Sequence, residues 1–361
     1  MHLFLDIMNA EQGTFMQRCL QLAALAGGEV APNPLVGAVL VSGGRIIGEG
    51  YHQKFGGPHA EVNCLASVRP DDHALIEKSI LYVNLEPCSH TGKTPPCAEL
   101  IIRHHIPEVI IGMVDPNEQV HGHGIKMMQD AGISVHVGLM EEACRSLNRR
   151  FITFQEKRRP YIILKWAQSR NVCMAPQDLS PVKITHSGTN RLVHRWRSEE
   201  AAIMVGAGTV QSDNPRLTNR LWTGVQPLRV IWDPNLRINK DAKVLDGESP
   251  SLVFNLEKNE RMHRVEYIRI SDQEKFISQI LEILYARQIN SVLVEGGARL
   301  LQFFIDRGCW DEARLITGNI FLEEGLPAPI LKLARLEGQI DVEGDRVEFF
   351  LKRTAPVNRG G

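Results

Sequence analysis

The sequence predicts an α/β protein of two domains, each a layered sheet with helices against it. Three observations carry this. Short apolar runs, the length of buried strands, alternate along most of the chain with segments of helical period. At 361 residues the chain is longer than one hydrophobic core usually serves. The pattern is interrupted by a charged stretch ending in proline, Glu156-Lys157-Arg158-Arg159-Pro160. That stretch sets the domains at 8–156 and 157–361.

In the first domain, Thr14 to Ala26 carries Phe15, Cys19, Leu22 and Ala26 at helical spacing. Leu35 to Val41 ends at Gly43-Gly44, and Arg45 to Gly50 follows, which predicts a hairpin. His59 to Val68 is expected as a helix, Ile80 to Leu85 as a buried strand and Cys97 to His105 as a helix. Then come strand Val109 to Met113, helix Gly124 to Ala131, strand Ile133 to Val137, and a closing helix from Glu141 to Phe154. The second domain is expected to begin with strand Tyr161 to Trp166 and helix Gly188 to Arg197. Strands Ala201 to Val205, Leu228 to Trp232 and Leu252 to Asn255 follow, then helix Gln273 to Arg287. Strand Ser291 to Glu295, helix Ala298 to Arg307, strand Glu312 to Ile316 and strand hairpins up to Lys352 complete it. Thr354 to Gly361 is expected as a frayed tail. Met1 to Ile7 is expected as a poorly ordered extension, too short and without the basic start of a signal peptide.

Composition excludes several classes. The formal net charge is −1, and no basic stripe interleaved with aromatics is present, which argues against a nucleic-acid-editing enzyme or any other nucleic-acid partner. No apolar run approaches the roughly 18 residues that span a bilayer, so no membrane association is expected. The cysteine count is seven, odd and widely spaced, which predicts reduced thiols in the cytoplasm. Cys19 and Cys64 read as small core residues.

Chemistry concentrates in Pro58-His59-Ala60-Glu61 and Pro87-Cys88-Ser89-His90-Thr91-Gly92-Lys93-Thr94-Pro95-Pro96-Cys97. His59, Cys88 and Cys97 supply one imidazole and two thiols, the donor set of a hydrolytic zinc site with its fourth position open. Both segments fall where a loop enters a helix, and helix N-termini favour thiolate. Glu61 is the expected proton carrier. Its helix position is about 200° around from that of His59, so the two are expected in the first turn, flanking the metal. Zinc nucleobase deaminases pair H-x-E with P-C-x-x-C; here eight residues separate Cys88 from Cys97. A fourth ligand from His90 would make the zinc structural and leave Glu61 without a task. His121 and His123, in a glycine-rich loop, read as loop residues.

The second domain has Val294-Glu295-Gly296-Gly297 at the end of a strand, where glycines let backbone N–H groups approach a phosphate. Val205-Gly206-Ala207-Gly208-Thr209 lacks the third glycine of the dinucleotide fingerprint, since residue 211 is Gln.

Asn33-Pro34-Leu35-Val36-Gly37, Gly56-Gly57-Pro58-His59-Ala60-Glu61, the Leu85 to Cys97 stretch and Asp115-Pro116-Asn117 closely resemble the bifunctional riboflavin-biosynthesis deaminase–reductases. The resemblance runs from Thr14 to Arg353 and is densest before residue 120. It implies a cytidine-deaminase-like three-layer domain followed by a dihydrofolate-reductase-like α/β domain. It implies Zn²⁺ and NADPH as cofactors, a homodimer, and a substrate diaminopyrimidinone bearing a phosphoribosylamino group. Asn33, His52, Lys93, Asp115 and Asn117 would line the deaminase pocket, although by residue type alone each is equally a turn or surface residue.

Val205 to Thr218, Leu164-Lys165 with Ala167 and Ser169, and Arg197 are similar to the reductase half of that family. By resemblance, Thr209, Asp213 and the Glu295-Gly296-Gly297 turn contact cofactor, with Ala167 and Lys183 beside them. Arg197, Leu217, Arg220 and Glu295 hold the phosphorylated substrate, the arginines by bidentate phosphate contact. Two departures stand out. Ser169-Arg170-Asn171-Val172 replaces the family's Ser-Leu-Asp-Gly, and Lys183-Ile184-Thr185 replaces its Trp-Ile-Thr. They leave open a second reading, an active deaminase joined to a non-catalytic dimerisation domain.

Overall fold

Alternating residues decide how the first sheet is covered. In the computed structural model, Ala38 and Leu40 of one strand pack into one apolar cluster and Val39 and Val41 into another. The structure describes residues 2–89, 95–118 and 120–353, and side chains from residue 12 onward. It divides into two units, Met1–Arg158 and Arg159–Gly361.

The first unit contains α1 (His2–Ala24), β1 (Gly37–Ser42), β2 (Arg45–Tyr51), α2 (Ala60–Ala66), β3 (Ile80–Val83), α3 (Cys97–Arg103), β4 (Glu108–Ile111), α4 (His123–Asp130), β5 (Ser134–Val137), α5 (Glu141–Leu147) and α6 (Arg149–Lys157). Its sheet runs β2-β1-β3-β4-β5. The first three strands pair antiparallel, and β3, β4 and β5 run parallel. One face is covered by residues of α2, α3 and α4, including Cys64, Ile101 and Met128. The other is covered by residues of α1, α5 and α6, including Met16, Cys144 and Ile152. This is the expected three-layer arrangement, and Cys19 and Cys64 are core residues within it.

Two expectations for this unit are corrected. The helix read from Thr14 begins at His2, so the segment taken as a poorly ordered extension belongs to α1. The single helix from Glu141 to Phe154 is two, separated at Asn148. The buried Asn148 side chain accepts the Leu35 N–H at 2.8 Å and donates to the Leu35 carbonyl at 2.9 Å. An asparagine that serves a distant backbone in this way competes with helix continuation.

The second unit contains β6 (Tyr161–Gln168), β7 (Cys173–Pro176), α7 (Ser187–Glu199), β8 (Ala202–Gly206), α8 (Ala207–Asp213), β9 (Leu228–Trp232), β10 (Ser251–Asn255), β11 (Glu260–Met262), β12 (Val265–Arg269), α9 (Phe276–Ala286), β13 (Ser291–Val294), α10 (Ala298–Asp306), β14 (Glu312–Thr317), β15 (Gly325–Pro327), β16 (Ala334–Val342) and β17 (Asp345–Lys352). Its ten-stranded sheet runs β11-β12-β10-β9-β8-β13-β6-β14-β17-β16. From β12 to β14 the strands are parallel, and both margins are antiparallel. Residues of α9 and α10 cover one face around Trp166 and Phe304. Val193 and Trp196 of α7 and Val210 of α8 pack on the other.

Here too the structure corrects the sequence. The segment after β8, for which the sequence predicted no element, enters α8 at once. The closing segments form one hairpin, β16 with β17, while β15 pairs back to β7 across the chain. The predicted tail lies outside the described residues.

Candidate functional sites

The first site gathers where β3 and the loops before α2 and α3 meet. His59 lies one residue before α2, extended at φ −72° and ψ 167°. It is therefore outside the first turn, where the sequence had placed it with Glu61, and the helical divergence between the two positions does not apply. Cys97 is the first residue of α3, and Cys88 follows β3 by five residues. The His59 Nδ1 atom is 3.6 Å from Cys88 Sγ and 3.3 Å from Cys97 Sγ, and all three donor atoms lie within 4.8 Å of one another.

Zinc fits this trio. Tetrahedral bonds of about 2.3 Å to sulfur and about 2.0 Å to nitrogen put S and N about 3.5 Å apart. Cys97, the largest influence, draws the Cys88 thiol well below the usual thiol range, against burial and with help from His59. The Cys97 backbone N–H also points at Cys88 Sγ, 3.3 Å away. Glu61 is 3% exposed. Burial pushes its carboxyl above the ordinary range, and the Cys88 sulfur adds to the shift. His90 and Lys93 lie outside the described residues.

Around this centre, His52 Nδ1 meets the Pro58 carbonyl at 2.9 Å, and its Nε2 meets the Asn33 side-chain amide at 3.2 Å. A proton on Nδ1 satisfies both contacts. Burial lowers the His52 pKa, which keeps the ring neutral for that pattern. The His52 and His59 rings stand edge to face, 5.5 Å apart. Asp115 is buried, and its Oδ1 accepts the Asn117 N–H at 2.8 Å. His121 Nδ1 contacts the Asp115 carbonyl at 3.0 Å, a loop role as expected.

Glu86 is a residue that sequence reasoning does not find. Its buried carboxylate accepts four backbone N–H groups, from Asp115, Gly122, Gly124 and Ile125, at 3.0–3.3 Å. It thereby ties the Cys88 loop to the Asp115-Pro116-Asn117 loop and the start of α4. Gly124 permits this, because a Cβ there would sit 2.0 Å from the Pro87 carbonyl oxygen. The only sequence signal is a carboxylate next to a predicted ligand loop.

The second cluster lies at the C-terminal ends of parallel strands β8, β13 and β6, where ligands of open α/β sheets bind. Arg197 of α7 grips Glu295 with two bonds, Nε at 2.8 Å and Nη2 at 2.7 Å. Lys165 of β6 reaches the same carboxylate at 3.7 Å. Burial opposes charge on Glu295, but Arg197 and Lys165 outweigh it and bring the carboxyl to about 2. Arg197, expected to take phosphate bidentately, thus spends its fork on Glu295, and its Nη1 donates to the Thr218 carbonyl at 3.3 Å. Leu217 is buried at φ +55°, and Arg220 Nη1 bonds Thr218 Oγ1 at 3.0 Å.

Among the expected cofactor residues, the Gly206 N–H bonds the Gly296 carbonyl at 3.0 Å. A Cβ at Gly297 would lie 3.3 Å from Thr209 Oγ1, so the bare glycine turn and Thr209 face each other. Asp213 ends α8 and accepts from Ser212 at 2.7 Å, Ala167 lies half-buried on β6, and Lys183 is exposed. Ser212 Oγ also reaches the Thr209 carbonyl at 3.4 Å, so Asp213 and Thr209 lie on one turn of α8.

The departures around Asn171 have structural readings. Its Oδ1 accepts from Ser169 Oγ at 2.8 Å and from Leu322 N–H at 3.1 Å, and its Nδ2 donates to the Leu322 carbonyl at 2.6 Å. An aspartate there could not make the last bond. Val172 sits at φ +63°, where its branched side chain is strained.

Comparison with known proteins agrees with both halves. Residues 9–113 match the cytidine and deoxycytidylate deaminase zinc-binding region, and residues 160–328 match the RibD C-terminal domain. The riboflavin biosynthesis protein RibD of Aquifex aeolicus is 38% identical over 339 residues, 92% of this chain and 94% of that one. Its counterpart in Bacillus amyloliquefaciens is 39% identical over 326 residues, 88% of this chain and 86% of that one. A crystal structure from Thermotoga maritima superposes with a TM-score of 0.88 at 36% identity, covering 96% of this chain and 99% of that one. That protein is described as a diaminohydroxyphosphoribosylaminopyrimidine deaminase/5-amino-6-(5-phosphoribosylamino)uracil reductase.

Proposed function

The chain belongs to the bifunctional riboflavin-biosynthesis deaminase–reductase family and carries both activities, and from that premise we propose how its residues divide the work. The first unit deaminates the diaminohydroxyphosphoribosylaminopyrimidine. The second reduces the ribosyl group of the resulting 5-amino-6-(5-phosphoribosylamino)uracil to ribityl. The observation that carries the first assignment is the His59, Cys88 and Cys97 trio beside a buried Glu61.

His59, Cys88 and Cys97 hold zinc, and two thiolates with a neutral imidazole balance its charge. When bound, zinc supplies the Lewis acidity that makes water a nucleophile near neutral pH. Glu61, whose carboxyl holds its proton more tightly than an exposed one, takes a proton from the attacking water and hands it to the departing amine. Asn33 offers an amide to the pyrimidine edge, held in place by neutral His52. Asp115 and Asn117 approach the same ring from the loop that Glu86 anchors. Lys93 is assigned to the phosphate by resemblance.

In the second unit, Thr209, Asp213, Gly296 and Gly297 receive a nicotinamide cofactor, with Ala167 and Lys183 at its margin. The reductase domain implies that cofactor class; NADPH rather than NADH is our assignment. The nicotinamide supplies the reducing equivalents. Glu295, with Leu217, lines the substrate side, and Arg197 holds Glu295 charged and oriented. Arg220, whose guanidinium has less competition, is the phosphate arm.

We assign the protein to the cytoplasm and to a homodimer. No helix among the described residues is long and apolar enough to cross a membrane. β16, an edge strand of the ten-stranded sheet, exposes Leu336 and Ile340. Such an edge is a template for pairing with a second copy. Light scattering should give twice the mass of one chain, and Ile340→Lys should halve it; an unchanged mass would move the interface elsewhere.

A coupled assay tests the whole reading. Ammonia release and NADPH oxidation are followed together on the phosphorylated diaminopyrimidine. Matching yields are expected. Ammonia without NADPH loss would sink the assignments in the second unit, and no ammonia from zinc-loaded protein would sink the substrate assignment.

A further inference from the structure

The stretch that carries Leu217 and Arg220 belongs to no helix or strand, so side chains must hold its backbone. Gln226 clasps it from one side, its Oε1 accepting the Asn219 N–H at 2.8 Å and its Nε2 donating to the Asn219 carbonyl at 2.7 Å. Helix α7 holds it from another. His194 and Arg197 are three residues apart and leave the same helix face. Arg197 Nη1 takes the Thr218 carbonyl, and His194 Nδ1 accepts the Arg220 N–H at 3.0 Å. These two bonds bracket Thr218 to Arg220.

We propose that His194 is a positioning residue of the reductase site, whose Nδ1 lone pair anchors the Arg220 backbone and thereby aims the Arg220 guanidinium at the substrate phosphate. The inference rests on the reading of Arg220 as the phosphate arm. His194 is 2% exposed, and its ring Nδ1 is directed at the Arg220 N–H. Nδ1 accepts only while the ring is neutral, which puts the ring proton on Nε2. Neutrality is enforced locally. Burial, then Arg197, Arg220 and Lys165, press the pKa down to about 4, and Glu295 opposes them. A cationic ring would lose the Arg220 bond and add a third positive charge beside two arginines. The sequence offers no sign of this, because a histidine on an amphipathic helix reads as an ordinary interior residue.

The test is steady-state kinetics of the full-length enzyme on the phosphorylated ribosylaminouracil with NADPH. His194→Phe keeps a flat aromatic ring, slightly larger than imidazole, and removes the acceptor. It should raise the substrate KM about 10-fold, as for an unmade buried hydrogen bond, while kcat stays within about 3-fold. His194→Asn can present Oδ1 to the same N–H and should restore most of the KM. With a substrate analogue lacking the phosphate, wild type and H194F should have equal KM. A loss of equal size on that analogue, or no rescue by H194N, would show a merely structural histidine and overturn the proposal. Arg220→Met separates the two layers. If R220M leaves the KM for phosphorylated substrate unchanged, the phosphate-arm reading fails and the positioning role falls with it. If R220M raises that KM and H194F does not, only the role of His194 is refuted. Should H194F not fold, H194N compared with His194→Gln and His194→Ala gives the same contrast between side chains with and without an acceptor.

Discussion

Glu61 shows how one residue separates catalytic from structural zinc. Its side chain is not among the three ligand candidates, so Glu61→Gln should keep the metal. Ammonia release should fall by about 10²–10⁴, the usual weight of a general acid–base group. Zinc content by atomic absorption alongside turnover checks this, and unchanged turnover would remove Glu61 from the chemistry. Val172 is a residue-scale question of stability. At φ +63° a branched side chain costs on the order of 1–2 kcal/mol. Glycine in its place gives back roughly 0.5–1 kcal/mol through a freer unfolded chain. Val172→Gly should therefore stabilise the second unit by up to about 1.5 kcal/mol. All five tryptophans lie beyond residue 159, so denaturant melts followed by tryptophan fluorescence report that unit; a destabilised variant would mean the turn carries no strain.

At the scale of elements, α7 and the end of β13 are joined through a buried charge. Glu295 has its carboxyl held at about 2, against an ordinary value near 4.3. A depressed carboxyl contributes stability that is present above the unfolded pKa and lost as pH falls toward the folded one. Over two pH units this is about 3 kcal/mol, lost between roughly pH 5 and pH 2. Fluorescence-detected unfolding of wild type and Glu295→Gln should converge in stability as pH falls through that window. Parallel curves would show that the charge on Glu295 is not what α7 holds. The break at Asn148 works at the same scale. Both Asn148 and Asn84 donate to the Leu35 carbonyl, at 2.9 and 3.0 Å, and so fix the loop that carries Asn33. Helical periodicity predicted a continuous helix there because it registers apolar spacing and not the backbone groups that a side chain serves elsewhere.

For the whole molecule, the two units contain separate chemistries on one chain. The zinc trio lies within Met1–Arg158 and the Glu295 cluster within Arg159–Gly361. Removing zinc with a chelator should abolish ammonia release and leave NADPH oxidation on separately supplied ribosylaminouracil phosphate unchanged. Parallel loss of both activities would show that the second reaction depends on the metal. Readding zinc should restore the first activity alone.

Much was legible in the chain itself. The identities of the donors His59, Cys88 and Cys97, the proposed proton carrier Glu61, and most strands and helices follow from residue types, short spacings and periods of two or 3.6, all of which are local. The tertiary structure alone decided who satisfies whom. Glu86 collects N–H groups 29 to 39 residues away, Arg197 meets Glu295 98 residues on, and β7 finds β15 instead of a neighbour in sequence. The same closure paired Arg197 with Glu295 and gave His194 a partner in the Arg220 backbone. A buried polar group must be paired, but its partner is set by which backbones the folded layers bring within about 3 Å, and no local window of sequence contains that distance.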